Sequence, residues 1–205
     1  MTGPRSGRPP DELPGRLVDL VRVAYRVMSR QGSHRLSLQD IAAEAGVSKS
    51  LLLYHFGSKD ALLVATMRHA LQVTASRIRD NVDVALDAGD ALSRLLDDVW
   101  ISADANRDFQ LFYYDLVEHT NRDEAYAGLP DLMRDSINVL YAEVIARGME
   151  EGVFVVADAH DAAISMRAVI EGSFLQWMQS DDRTATHAAY RDRCQRDLLR
   201  VLGAL

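Results

Sequence analysis

Between Ser37 and Leu62 the chain reads SLQDIAAEAGVSKSLLLYHFGSKDAL, a stretch that suits little besides two short helices joined by a tight turn. Ser37 precedes an apolar-periodic run and Asp40 follows three positions later. That is the spacing of a capping box, in which hydroxyl and carboxylate each satisfy a backbone N–H at the helix start. Ile41, Ala42 and Ala45 recur at helical spacing, and their small size lets a second helix cross close above them. Gly46 ends the run where the backbone needs the left-handed conformation that glycine adopts without steric cost. Val47 is expected as a buried plug, Ser48 as a second N-cap, and Lys49 to Phe56 as the second helix. On that helix Leu52 and Phe56 share the inner face at i, i+4, while Lys49, Ser50, Leu53 and Tyr54 point outward. A helix this short does not persist alone in water. Packing must hold it, and its outer face then becomes a rigid surface.

Two helices joined by a glycine-containing turn, the second with a basic and hydroxyl-rich outer face, match the helix-turn-helix that places a recognition helix in the DNA major groove. An ordinary helical hairpin would share the apolar pattern. The continuation decides between them. The run I-A-x-x-A-G-V-S-K-x-x-L-x-Y-H-F-G-S-K-D-A-L from Ile41 to Leu62 resembles the DNA-binding domain of the TetR family of bacterial transcriptional regulators. Two positions depart from that pattern. Ser50 stands where the family commonly has glycine, and Leu53 where it commonly has a tyrosine that contacts the DNA backbone. Here the tyrosine comes one place later, at Tyr54, about 100° further round the helix.

The overall charge of −7 looks wrong for a polyanion binder until its distribution is followed. Residues 1 to 60 carry nine basic side chains against six acidic, a net of +3, and the remainder carries a net of −10. A basic head on an acidic body orients the molecule on DNA and keeps the body off it. The only two lysines, Lys49 and Lys59, both fall in the opening stretch. Residues 1 to 10, with Pro4, Pro9, Pro10, Gly3 and Gly7, are expected as a flexible arm from which Arg5 and Arg8 reach phosphates or the minor groove. At the reading head, Lys49, Ser50 and Leu51 are the candidates for base edges. Ser37, Ser48, Tyr54, His55 and Lys59, with Gln39 beside them, are the candidates for the phosphate backbone.

Helical periodicity continues through the rest of the chain, so the expected fold class is all-α. A first helix from Asp11 carries Leu17, Leu20, Val21, Ala24, Val27 and Met28 on one face and stops at Gly32. It completes a three-helix DNA-binding domain over 11–57. Residues 58–205 then form a helical effector-binding and dimerisation domain, with 58–80 as the linking helix carrying Leu62, Leu63, Met67, Leu71 and Val73. Further helices are expected near Asp90 to Ala103, Arg107 to Thr120, Pro130 to Glu150, Ala159 to Gln179 and Thr184 to Leu202. Val153 to Val156 alternates like a strand but is too isolated to make a sheet.

In this second half Phe109, Phe112 and Tyr113 form an aromatic stripe that suits either a packed core or the wall of a ligand cavity between helices. Trp100, Met133, Ile137, Tyr141, Ile170, Phe174 and Trp177 are the further candidates for such a pocket. Arg167 and Glu171, together with Tyr114, Asp115 and His119, are candidates for orienting a small molecule. The last two helices combine small residues with more apolar surface than a peripheral hairpin needs, which a symmetric interface with a second copy would bury. The family resemblance implies the same arrangement, and Gly172 to Trp177 followed by Asp181-Asp182 is similar to the BetI-like branch.

Catalysis is not expected. No P-loop, dinucleotide fingerprint, nucleophile elbow or paired-histidine metal motif occurs, and the six histidines are scattered. The single Cys194 excludes an internal disulfide and cysteine-based zinc sites. No apolar run approaches the roughly 20 residues needed to span a bilayer, so the expected location is cytoplasmic, with no cofactor and no membrane partner. The resulting expectation is a homodimeric regulator that binds double-stranded operator DNA and is released from it by an unidentified small-molecule effector. An architectural DNA binder without a ligand, or more remotely a small helical enzyme, is the alternative.

Overall fold

The capping chemistry of the opening stretch is realised bond for bond. In the computed structural model, which describes residues 15–31, 36–120 and 122–204, the Asp40 backbone N–H donates to Ser37 Oγ at 3.2 Å. Asp40 Oδ2 accepts from the Ser37 backbone N–H at 2.8 Å and from the Ser37 hydroxyl at 2.6 Å. Those bonds from Ser37 hold the Asp40 carboxyl below the usual carboxylate range. Helix α2 (Leu38–Glu44) follows, and Gly46 turns the chain at φ 64°. The next helix, α3 (Lys49–Phe56), is capped by the Ser48 hydroxyl accepting from the Leu51 N–H at 3.1 Å. Gly57 closes it at φ 78°.

Ahead of them α1 (Gly15–Gln31) buries Leu20, Val21, Ala24, Val27 and Met28, the expected face. Its expected start at Asp11 and stop at Gly32 lie outside the described residues, as does the arm with Arg5 and Arg8. After α3, Ser58 Oγ accepts from Ala61 N–H at 3.0 Å and opens α4 (Lys59–Val82). Two expectations need correction here. Val47 is only half-buried, because Val47 N–H bonds to Ala42 O and holds the turn at the surface. Val73 is 47% exposed, since the buried stripe of α4 runs through Leu71, Ala75 and Ile78 instead.

The chain divides into two compact units, Met1–His69 and Ala70–Leu205. In the second, Asp87 caps α5 (Ala88–Val99), which ends four residues before the expected helix end at Ala103, with Trp100 as its C-cap. Helix α6 (Ala103–Thr120) begins correspondingly earlier. A 3-10 turn, Glu124–Tyr126, leads to α7 (Leu129–Met133). The single helix expected from Pro130 to Glu150 is interrupted by a π-helical segment, Arg134–Asn138, before α8 (Val139–Glu150). The extra residue in that turn keeps Met133, Ile137, Asn138 and Tyr141 all buried. Asp158 and Asp182 cap α9 (Ala159–Met178) and α10 (Arg183–Val201). Helices α8, α9 and α10 pack in succession, with α5 lying on α8 and α10 and α6 on α10. No strand occurs among the described residues, and Val153 to Val156 is a connector.

Candidate nucleic-acid interface and effector site

The outer face of α3 is built by the two caps and the burial of Leu52, which is fully inaccessible. That anchor turns Lys49, Ser50, Leu53, Tyr54 and His55 to solvent, with Tyr54 82% exposed and Leu51 half-buried. The Tyr54 ring meets the His55 ring edge-on at 5.1 Å, so the displaced tyrosine stands out from the helix beside a histidine. Lys49 makes no ion pair among the described residues, which leaves its ammonium available to a phosphate or a base edge. Ser37 and Ser48 are exposed, as is Gln39, although both hydroxyls already serve as caps. Lys59 differs from the rest. Its Nζ donates to the Leu36 carbonyl at 2.9 Å, tying the start of α4 to the segment before α2.

The expected pocket residues of the second unit separate into two groups. Trp100 stacks on Phe174 with ring centroids 3.9 Å apart, and Trp177 meets both edge-on at 6.0 and 6.2 Å. All three are buried, as are Phe112, Met133, Ile137, Tyr141 and Ile170. Stacked against one another, these rings fill the core. The indole N–H of Trp177 donates to Arg183 O at 2.8 Å and closes the α9–α10 turn. The second group lies at the edge of this core. Phe109 stacks near Tyr113, with centroids 6.2 Å apart. The Tyr113 hydroxyl donates to Glu171 Oε1 at 3.2 Å, and Arg167 Nε stands 3.7 Å from the same oxygen.

Around Glu171 the tyrosines are held neutral. Burial, then the Glu171 charge, pushes Tyr114 up to about 12. The same two influences lead the rise of Tyr113, while burial and the neighbouring Cys194 and Glu171 raise Tyr141. The Tyr114 hydroxyl is buried and has no hydrogen-bond partner among the described residues. Asn138 Oδ1, in the π-helical segment, shares that state. Sequence reasoning passed over Asn138, since an asparagine inside an apolar helical run carries no pattern that marks it. A carboxylate bordered by neutral phenol rings, one spare hydroxyl and an apolar core suits a small organic molecule with a positive or hydrogen-bond-donating end.

A second missed pair lies nearby. Asn106 donates to Val99 O at 2.7 Å, and its Oδ1 is 2.8 Å from His187 Nε2. Burial lowers His187 from its ordinary 6.5, so the fold favours the neutral ring. The unfolded chain then binds more protons near that value, so this contribution to stability is complete above pH 6.5 and is lost as pH falls towards the lower folded value. The melting temperature is expected to fall between about pH 7 and pH 5. His187→Gln should flatten that slope. His69, lowered by burial and Arg22, contributes in the same direction, so His69→Asn should remove the remainder. Melting curves with identical pH slopes in wild type and both variants would contradict the assignment.

Similarity to known proteins coincides with these two regions. A family model described as bacterial regulatory proteins, tetR family, matches residues 20–66. A second, described as BetI-type transcriptional repressor, C-terminal, matches residues 88–203, more than half of the chain. The HTH-type transcriptional repressor KstR2 of Rhodococcus jostii is 26% identical over 140 residues, 68% of each chain. The HTH-type transcriptional regulator BetI of Brucella anthropi is 44% identical over 59 residues, 29% of this chain and 30% of that one. Among solved structures, a transcriptional regulator from Saccharomonospora viridis in complex with choline shares the fold at TM-score 0.75 and 24% identity, covering 90% of this chain and 95% of that one. A TetR transcription regulator from Haloarcula marismortui does so at TM-score 0.77 and 23% identity, covering 93% and 97%.

Proposed function

We propose, from the premise that the chain belongs to the TetR family and is a ligand-responsive DNA-binding transcriptional regulator, that it is a homodimeric repressor released from a pseudo-palindromic operator by a small organic cation. The observation that carries the reading is α3: doubly capped, anchored by Leu52, and presenting Lys49, Ser50, Tyr54 and His55 outward. Two such helices would enter successive major grooves, with Lys49, Ser50 and Leu51 at base edges and Tyr54 and His55 at phosphates. The helix N-terminus with Ser48, and Ser37 and Gln39 on α2, assist at the backbone. Arg5 and Arg8 would reach the duplex from the arm.

The second copy docks on α9 and α10. Ile164 and Leu175 on α9 are 52% and 50% exposed, and Val201 on α10 is 43% exposed. Ala168, Gly172 and Ser173 open a groove of about 280 Å³ lined on its far side by Tyr190 and Arg193. A self-complementary pairing of these faces supports two-fold assembly. The effector reading rests on Glu171 with Tyr113, Tyr114 and Phe109, and the choline-bound neighbour is in keeping with it. Binding there biases one arrangement of the second unit. Because α4 runs unbroken from Lys59 to Val82, a shift of its second half changes operator affinity by the ligand's differential affinity for the two states. No described helix is long and apolar enough to cross a membrane.

A salt titration on DNA from upstream of the protein's own gene tests the interface. Lys49→Ala is expected to weaken binding and reduce the slope of log K against log salt by about 0.9, the signature of one lost phosphate contact. Lys59→Ala is expected to leave the slope unchanged and to lower the melting temperature, because its ammonium is held by Leu36 O. A slope change at Lys59 and none at Lys49 would reverse the contact map. A monomer at micromolar concentration in sedimentation would exclude the two-half-site arrangement.

A further inference from the structure

Glu171 faces a cation already, and a poorly bound one. Arg167 Nε lies 3.7 Å from Glu171 Oε1, beyond hydrogen-bond distance. The pair is an i, i+4 pair with the base N-terminal to the acid, the weaker of the two orders on a helix. Its side chains are 26% and 39% exposed, so solvent screens the attraction further. Oε1 also accepts from the Tyr113 hydroxyl at 3.2 Å, whereas Oε2 carries no hydrogen bond among the described residues. Beside them the buried Tyr114 hydroxyl has no hydrogen-bond partner among the described residues. A carboxylate with one free oxygen, neutral phenols around it and a loosely paired guanidinium is a half-used cation site.

We propose that Arg167 is a resident competitor for the effector's positive group, holding the place at Glu171 that a bound organic cation takes and thereby setting the concentration at which the regulator responds. This rests on the cationic-effector reading above. When the ligand's cation meets Glu171 and the rings of Tyr113 and Tyr114, the Arg167 guanidinium swings to water on its aliphatic stem. Binding then loses the weak Arg167–Glu171 attraction and suffers repulsion from the displaced charge. Both effects act against affinity, and both vanish if the guanidinium is removed.

The test uses the full chain with tetramethylammonium and choline as probes, and affinities from calorimetric titration. Arg167→Met keeps the stem and deletes the charge. It is expected to tighten binding of both probes by about threefold to tenfold, the effect of a fraction of a kcal/mol up to 1.4 kcal/mol. Arg167→Lys should stay near wild type, since a charge remains. Glu171→Gln should weaken both probes, and adding Arg167→Met in that background should give no gain, because the competed carboxylate is gone. Thermal melts without probe confirm folding, which an exposed pair scarcely affects. Unchanged or weaker affinity for both probes in Arg167→Met would overturn the competitor role. If no probe binds wild type or Arg167→Met, the cationic-effector reading fails and this role fails with it.

Discussion

Replacing Arg77 by methionine is expected to lower the unfolding free energy by about 3 kcal/mol, the low end of the range for breaking a buried ion pair. Asp98 is only 6% exposed, and α5 delivers it against the second half of α4. There Arg77 Nε donates to Oδ1 at 2.9 Å and Asn81 Nδ2 to Oδ2 at 2.8 Å, while Arg77 Nη2 donates to the Asp98 carbonyl at 2.7 Å. Methionine preserves the stem but strands a buried carboxylate with one neutral donor. The reverse change, Asp98→Asn, leaves the guanidinium, whose side chain is 35% exposed, free to find water. Its cost should be about half as large, since no buried charge is left. Urea unfolding of the two variants checks the asymmetry, and equal losses would mean that burial of Asp98 contributes nothing to the cost. Asp98 lies two residues before Trp100, which stacks on Phe174 of α9.

The second large effect is expected at Gly148, where alanine should cost about 2–3 kcal/mol even though helix propensity alone favours alanine by about 1 kcal/mol. Gly148 lies inside α8, and its carbonyl accepts from both Val153 N–H at 2.9 Å and Phe154 N–H at 3.0 Å. That pair of bonds folds the connector back over the helix and lays the Phe154 ring on the missing side chain. A Cβ at Gly148 would fall inside that ring, 2.6 Å from its Cγ, and Phe154 is only 4% exposed. Accommodating the methyl therefore means displacing a buried phenylalanine. Phe154→Ala alone should cost about 3 kcal/mol, and Gly148→Ala added to it should then cost nothing or stabilise, because the ring has gone. A stabilised Gly148→Ala single variant would show that the ring moves aside freely.

How much of this could be read from residues alone varies with sequence distance. The helix-turn-helix was legible almost to the residue, since Ser37, Asp40, Gly46, Ser48 and Gly57 act on backbone groups within about four positions of themselves. Asp158 and Asp182 cap α9 and α10 in the same local way. The π-helical segment at Arg134–Asn138 was not legible, because periodicity averaged over a long helix absorbs one extra residue. Of the aromatic stripe only Phe112 is buried while Phe109 and Tyr113 are half-buried, and its two possible roles were indistinguishable from spacing. Facing inward is a property of spacing, whereas filling a core or bordering a site depends on which ring meets which.

The sequence by itself determined the helix class, the reading head and its outward residues, because caps, glycine turns and short-range periodicity are local interactions. The family resemblance carried by Ile41 to Leu62 followed from the same residues. Tertiary structure decided the partners. Lys59 is held by Leu36 across 23 residues, Arg77 by Asp98 across 21, Tyr113 by Glu171 across 58 and His187 by Asn106 across 81. No pattern within one helix specifies which neighbour its polar side chains will meet. Packing brings those helices together, and the cost of leaving a buried polar group unpaired then selects the bonds that form. So Lys59, expected at DNA, also bonds to Leu36 within the first unit, and Arg167 and Glu171 on one helix meet Tyr113 from another.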